Sequence, residues 1–258
     1  MKRYRLVPLL LVLIPLASSC AVEPLEGDVL LYDGPGADED CTANLAALLE
    51  NLGYSVELAG PDYFNTNGCA GFRVAAFPGG DMFQYARDLE TDAKEDIRRF
   101  LAEGGAYLGV CGGSYFAAAR VHWQGAELPM EPLALFPGEA VGPIDEIAPF
   151  PDCTITGIHA DEEHPISADL EDELRYTYCY GPYFLLDEEA GEAPAVLHRY
   201  DTGDGAASLA FAYDAGRVFI IGLHPELTIV EVEDGGTDYH PDSYALFEAA
   251  LDWLLADR

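Results

Sequence analysis

GGAYLGVCGGSYF, Gly104 to Phe116, places one cysteine, Cys111, at the end of an apolar run and crowds it with small residues. Ala106 to Val110 reads as a buried strand, and Gly112-Gly113-Ser114 followed by Tyr115 to Ala119 reads as the opening of a helix. Cys111 then falls on a sharp strand-to-helix turn, the geometry of a nucleophile elbow. Glycines suit such a turn because the nucleophile sits in strained backbone where nearby side chains would clash. A helix N-terminus just beyond the sulfur favours thiolate and offers N–H groups to a developing oxyanion. Taken alone, the segment also fits a buried structural cysteine beside a tight βα turn.

Upstream, Asp28 to Tyr32 reads as a strand ending in the turn Asp33-Gly34-Pro35-Gly36. A helix is predicted from about Thr42 to Leu52, a strand at Tyr54 to Leu58, then a polar loop. A third strand, Phe72 to Phe77, runs into Pro78-Gly79-Gly80-Asp81, and Thr91 to Glu103 is an amphipathic helix. Strands alternating with helices imply a parallel sheet with helices on both faces, where function gathers at the carboxyl ends of the strands. Downstream, Met130 to Pro165 is broken by proline and glycine into irregular pieces or hairpins. Ala195 to Tyr200, Ala207 to Tyr213 and Arg217 to Leu223 read as consecutive strands, and helix Tyr244 to Leu255 closes the chain.

A thiol nucleophile needs a base, and the base works best when a third group orients it. His224-Pro225-Glu226, at the end of the last strand, offers that pair. The remaining histidines, His122, His159, His164, His198 and His240, lack the spacing of a metal motif and read as structural or surface residues. No metal and no cofactor are expected.

Residues 1–20 look like an export signal: Lys2, Arg3 and Arg5, an apolar stretch from Leu6 to Ala17, then Ser18-Ser19-Cys20. The small residues before Cys20 resemble a lipobox, with Cys20 as the lipidated first residue of the mature protein. Ala17 and Ser19 also fit an ordinary signal-peptidase site, which leaves a soluble secreted protein. Residues 21–27 are then a tether, and 28–258 a single domain outside the cytoplasm. Beyond residue 20 the chain carries all 46 of its acidic residues against ten basic ones, and the whole chain has a net charge of −33. Such a field repels nucleic acid and anionic lipid surfaces, so membrane attachment is expected through a lipid anchor only. The near absence of lysine resembles proteins of salty environments, where high ionic strength screens self-repulsion. Cys41, Cys69, Cys153 and Cys179 remain as disulfide candidates; three pairings are open, with a slight preference for the most local, Cys41–Cys69 and Cys153–Cys179.

Five segments in order, LLYDGPG (Leu30 to Gly36), FPGGDMFQY (Phe77 to Tyr85), GGAYLGVCGGSYFA (Gly104 to Ala117), YCYGPYF (Tyr178 to Phe184) and GLHPE (Gly222 to Glu226), carry a resemblance to a known family. The chain resembles the class I glutamine amidotransferase-like superfamily, and within it the N-terminal domain family of biotin-protein ligases in its stand-alone bacterial form. That resemblance implies a flavodoxin-like three-layer α/β sandwich with a mainly parallel central sheet, with β-hairpin excursions in the second half. It also implies Cys111 as nucleophile, His224 as base and Glu226 as its orienter. Gly112, with the turn Gly79-Gly80, would form the oxyanion hole. Asp81, Tyr115 and Tyr183 would line the cleft, although both tyrosines fit core positions too. Gly112 stands where alanine is more usual, an exchange of one small residue for another. The function implied is chemistry on an amide bond of a small-molecule or peptide substrate through a thioester; the alternative is a non-catalytic binding module that uses the same cleft. Oligomeric state is not legible.

Overall fold

The computed structural model describes residues 25–161, 163–187, 193–203, 205–231 and 236–256; the expected export signal and Cys20 lie outside the described residues. The first half runs β1 (Val29–Tyr32), α1 (Glu39–Asn51), β2 (Val56–Ala59), α2 (Pro61–Asn67), β3 (Val74–Phe77), α3 (Met82–Asp88), α4 (Thr91–Ala102), β4 (Ala106–Val110) and α5 (Gly112–Ala117). The second half adds β5 (Ala118–Trp123), β6 (Ala126–Glu127), β7 (Phe136–Gly142), β8 (Thr154–Ala160), β9 (Glu173–Tyr178) and β10 (Tyr183–Leu186). It closes with β11 (Ala195–Tyr200), β12 (Ala206–Tyr213), β13 (Gly216–Ile221), a 3₁₀ turn (Pro225–Leu227), the small pair β14 (Ile229–Glu231) and β15 (Thr237–Tyr239), and α6 (Pro241–Leu255).

One sheet holds the strands in the order β2-β1-β3-β4-β13-β12-β10-β7-β5-β6, with β11, β8 and β9 attached beyond β12. From β2 to β13 every neighbour is parallel. Past β13 the pairing turns antiparallel, except for β5 beside β7. The expected hairpins therefore extend the central sheet instead of standing apart from it. Side chains of a strand alternate between the faces, and β1 shows the result. Leu30 and Tyr32 join one core with Phe77 and Tyr107, while Val29 and Leu31 join the other with Leu45, Phe219 and Leu251. Helices α1 and α6 cover the second face, and α2 to α5 the first, giving the three-layer α/β sandwich.

Local chemistry explains where element boundaries depart from expectation. Helix α1 starts before Thr42 because the Asp38 carboxylate accepts from the Cys41 N–H at 3.0 Å and caps the first turn. The polar loop after β2 is helix α2, opened by Pro61 in its first turn. The helix after the elbow ends at Ala117 and the chain passes directly into β5. The tether is shorter than expected, since the Leu25 N–H already donates to the Tyr63 hydroxyl at 2.9 Å.

At the elbow Cys111 has φ 46° and ψ −99°, a left-handed backbone that costs a non-glycine residue about 1–3 kcal/mol. Close backbone approach holds it there. A Cβ at Gly113 would strike the Phe77 carbonyl, and one at Gly112 would strike the peptide of Gly80. The buried Ser114 completes the clamp: its hydroxyl lies 2.6 Å from the Ile221 carbonyl and 2.9 Å from that of Gly109, and accepts from the Ile221 N–H at 3.1 Å. The Cys111 N–H also donates to Ile221 at 2.9 Å. The elbow is thus fastened to the end of β13, three residues before His224.

Gly112→Ala is therefore not neutral in this chain. It and Gly113→Ala each lower unfolding free energy by about 1–3 kcal/mol in urea titration, the usual cost of overpacking. Ser114→Ala costs a similar ~1–3 kcal/mol, because it removes the buried hydroxyl that bridges the Gly109 and Ile221 backbone groups.

Candidate active site

The carboxyl ends of β1, β3, β4 and β13 lie side by side, and the loops that leave them converge on one cavity of about 910 Å³. Cys111 comes from the end of β4 and His224 from the end of β13, adjacent parallel strands with Val110 opposite Ile221. Sheet order alone therefore brings together two residues 113 positions apart. Both are almost completely buried, and both line the cavity.

The histidine is held on three sides. Its N–H donates to the Thr177 carbonyl at 2.7 Å, tying the turn to β9, and its carbonyl accepts from the Thr228 hydroxyl at 3.1 Å. Its ring Nδ1 lies 2.8 Å from Glu226 Oε1, and Glu226 is fully buried in the 3₁₀ turn that Pro225 opens. A buried carboxylate at that distance accepts a hydrogen bond from the Nδ1–H, which fixes the tautomer and leaves Nε2 as the uncommitted ring nitrogen. Nε2 is buried and has no hydrogen-bond partner among the described residues. Burial by itself pulls the imidazole pKa down. The charges of Cys111 and Glu226, with the Cys41 sulfur beside Nδ1, outweigh it, and the pKa is raised well above the ordinary imidazole value.

Cys41 is an unexpected neighbour. Its sulfur is 3.6 Å from His224 Nδ1, on the cavity wall at the first turn of α1. Burial pushes its thiol up to about 12, so it stays protonated at neutral pH. This corrects one disulfide expectation. Cys41 and Cys69 are free thiols, because Cys41 faces His224 at the carboxyl ends of the central strands whereas Cys69 lies in the core with Phe64, Phe72 and Leu89. Cys153 and Cys179 are bridged; Cys153 precedes Thr154 and Cys179 follows Tyr178, a paired couple, so the bridge closes the open end of the β8–β9 hairpin. Only the position of Cys41 in the folded chain, not any spacing, could have revealed its role. Cys41, His224 and Glu226 have their ligand atoms within 4.8 Å of one another and are the residues that would hold a metal ion. In the geometry seen, Glu226 accepts the imidazole N–H and the Cys41 thiol stays protonated.

Of the other expected residues, Gly80, Asp81 and Tyr115 line the cavity. Gly79 packs behind it, where a Cβ would meet the His224 ring and the Cys41 sulfur. The Gly112 amide is the first of α5, one of those a helix's own ladder leaves free. Gly80 pairs with Ala37 only through its flanks, Asp38 N–H to Gly79 O at 3.0 Å and Asp81 N–H to Gly36 O at 2.7 Å. Its own amide is outside that pairing. The Asp81 carboxylate caps α3, accepting from Phe83 and Gln84. Tyr115 donates to the Tyr180 carbonyl at 3.0 Å. Tyr183 does not line the cavity: it sits in β10 opposite Val141 and packs over Gly205. The wall it was expected to form is made by Trp123, Phe150 and Tyr180, which meet edge to face with centroids 5.1–6.5 Å apart. Isolated aromatics in irregular segments give no periodic signal, so this cluster was not legible in the sequence. The remaining histidines lie outside the cavity: His122 pairs with Glu139, His159 with Asp201 and His198 with Ser208, while His240 caps α6 and His164 packs on Trp253.

Residues 27–249 match the family model for the N-terminal domain of biotin-protein ligase. A biotin–protein ligase of Schizosaccharomyces pombe is 27% identical over 218 residues, a match that takes in 78% of this chain and about a third of the yeast protein's length. Among solved structures, that of PurLQS from Thermotoga maritima superposes with a TM-score of 0.62 at 16% identity, covering 89% of this chain and all of the other. A glutamine amidotransferase from Thermotoga maritima superposes with a TM-score of 0.50 at 10% identity, over 79% of this chain and 77% of its own. At such identities the structures speak for the class I glutamine amidotransferase-like fold alone, whereas the family model spans most of the sequence: the chain belongs to the biotin-protein ligase N-terminal domain family.

Proposed function

We propose that this protein is a cysteine-dependent enzyme that acts on an amide bond through a thioester, with Cys111 as nucleophile, His224 as proton carrier and Glu226 as its orienter. The observation that supports it most is the unpartnered, buried Nε2 of His224 at the wall of the cavity that also receives the strained Cys111. An imidazolium held by Glu226 stabilises a thiolate beside it. The thiolate attacks the amide carbonyl, and the amides of Gly112 and Gly80 stabilise the oxyanion that forms. The imidazolium gives its Nε2 proton to the departing amine as the C–N bond breaks, leaving the thioester. Neutral His224 then takes a proton from water or an acceptor amine, whose attack releases the acyl group and regenerates the thiolate.

The same proposal places the enzyme outside the cytoplasm, lipid-anchored at Cys20 or secreted, working on a small molecule or a peptide. The residues that support this are Lys2 to Cys20, together with the Cys153–Cys179 bridge, a bond favoured in oxidising compartments. Metabolic labelling with a palmitate analogue checks the anchor: wild type carries label and Cys20→Ser does not. Biotin ligation, the activity in the name of the yeast relative, belongs to a protein three times the matched length.

Reactivity tests the nucleophile. At neutral pH, iodoacetamide modifies Cys111, read by peptide mass mapping, at least about tenfold faster in wild type than in His224→Asn. Equal, slow rates in both proteins would leave a binding module as the better reading. Stability tests the histidine. With its folded pKa raised above the unfolded value of 6.5, His224 contributes stability that is fully present below pH 6.5 and lost as pH rises through the folded pKa. Urea unfolding between pH 6 and pH 10 shows a steeper loss for wild type than for His224→Asn.

A further inference from the structure

The cavity above Cys111 is larger than a single amino acid needs; about 910 Å³ is at the upper end of the range that encloses drug-sized ligands. Its two sides differ in chemistry, and the sheet order explains how. On the side of β1 and β3 the wall carries Asp38, Asp40 and Asp81. On the far side, beyond β13, it carries the cluster of Trp123, Phe150 and Tyr180. Cys111 and His224 sit between them. Among the described residues that line the cavity none is Arg or Lys. The carboxylate of free glutamine would therefore meet three like charges and no cation other than the His224 imidazolium beside Cys111, inside a chain of net charge −33.

Resting on the amide-cleaving reading above, we propose that the substrate is a cationic peptide amide. An aromatic or bulky apolar side chain lies against Trp123, Phe150 and Tyr180, and a protonated amine lies toward Asp38, Asp40 and Asp81. The aromatic cluster supplies apolar area and edge contacts for a ring. The carboxylates supply a charge-lined cleft, which concentrates a matching ligand by ~10–10³-fold. The buried, unpartnered His224 Nε2 marks where the scissile nitrogen is placed between the two subsites.

Three affinity labels that differ in one group test this: phenylalanine chloromethyl ketone with a free amine, its acetyl derivative and its succinyl derivative. Each alkylates a thiolate with loss of chloride, and mass mapping assigns the label to Cys111 as distinct from Cys41. The free-amine label reacts fastest and the succinyl label slowest, at least about tenfold apart at low salt, with the gap closing as NaCl is added. The triple change Asp38→Asn, Asp40→Asn and Asp81→Asn keeps side-chain oxygens for capping and collapses the ranking. Glu50→Gln, Glu95→Gln and Glu248→Gln, which remove as much charge from exposed positions elsewhere, leave it in place. Trp123→Ala slows all three labels relative to iodoacetamide. Equal rates, a fastest succinyl label, or a ranking that survives the Asp→Asn changes would overturn the proposal. A ranking among labels at one thiol is read independently of how fast iodoacetamide reacts, so failure of the substrate class is distinct from failure of the catalytic dyad.

Discussion

The backbone at Cys111 is the constraint on which the rest of the site depends. A non-glycine residue with φ 46° persists only when its surroundings leave no alternative, and here the surroundings are other pieces of the site. Gly113 lies against the carbonyl of Phe77, Gly112 against Gly80, and Ser114 is bonded to the end of the strand that carries His224. The contacts that hold Cys111 in place also align the Gly79-Gly80 turn and His224. Strain and assembly are therefore one arrangement, and the backbone carries it without help from exposed ion pairs.

The parallel centre of the sheet was legible because each of its strands is a short apolar run punctuated by glycine. β4 falls at Ala106 to Val110 in sequence and structure alike, and the residues after it could hardly be anything but a tight turn. The pairing of Cys111 with His224 was legible too, since both lie at strand ends and parallel strands bring such ends together. Less visible were elements whose cause is tertiary. β9 is an amphipathic stretch among acidic residues, yet it positions His224 through Thr177 and leads directly into Cys179. The aromatic wall draws Trp123, Phe150 and Tyr180 from three separate segments.

The cysteines show where counting fails. Four sulfurs outside the elbow and the signal invite two bridges, but sequence proximity is not spatial proximity. Cys41 belongs to the cavity at the carboxyl ends of the central strands and Cys69 to the core of the opposite layer. Burial keeps both thiols protonated at neutral pH, pushing each up to about 12. Cys41 instead fills the space on the Nδ1 side of His224, the side already committed to Glu226.

The Cys153–Cys179 bridge joins the open end of the β8–β9 hairpin, and the next residue, Tyr180, forms part of the aromatic wall. A chain this acidic expands or tightens with the ionic strength around it, because repulsion among its surface carboxylates is screened to different degrees. A covalent tie does not respond to salt. The hairpin that supports His224 and leads into Tyr180 is thus held at its open end by a link that ionic strength does not loosen.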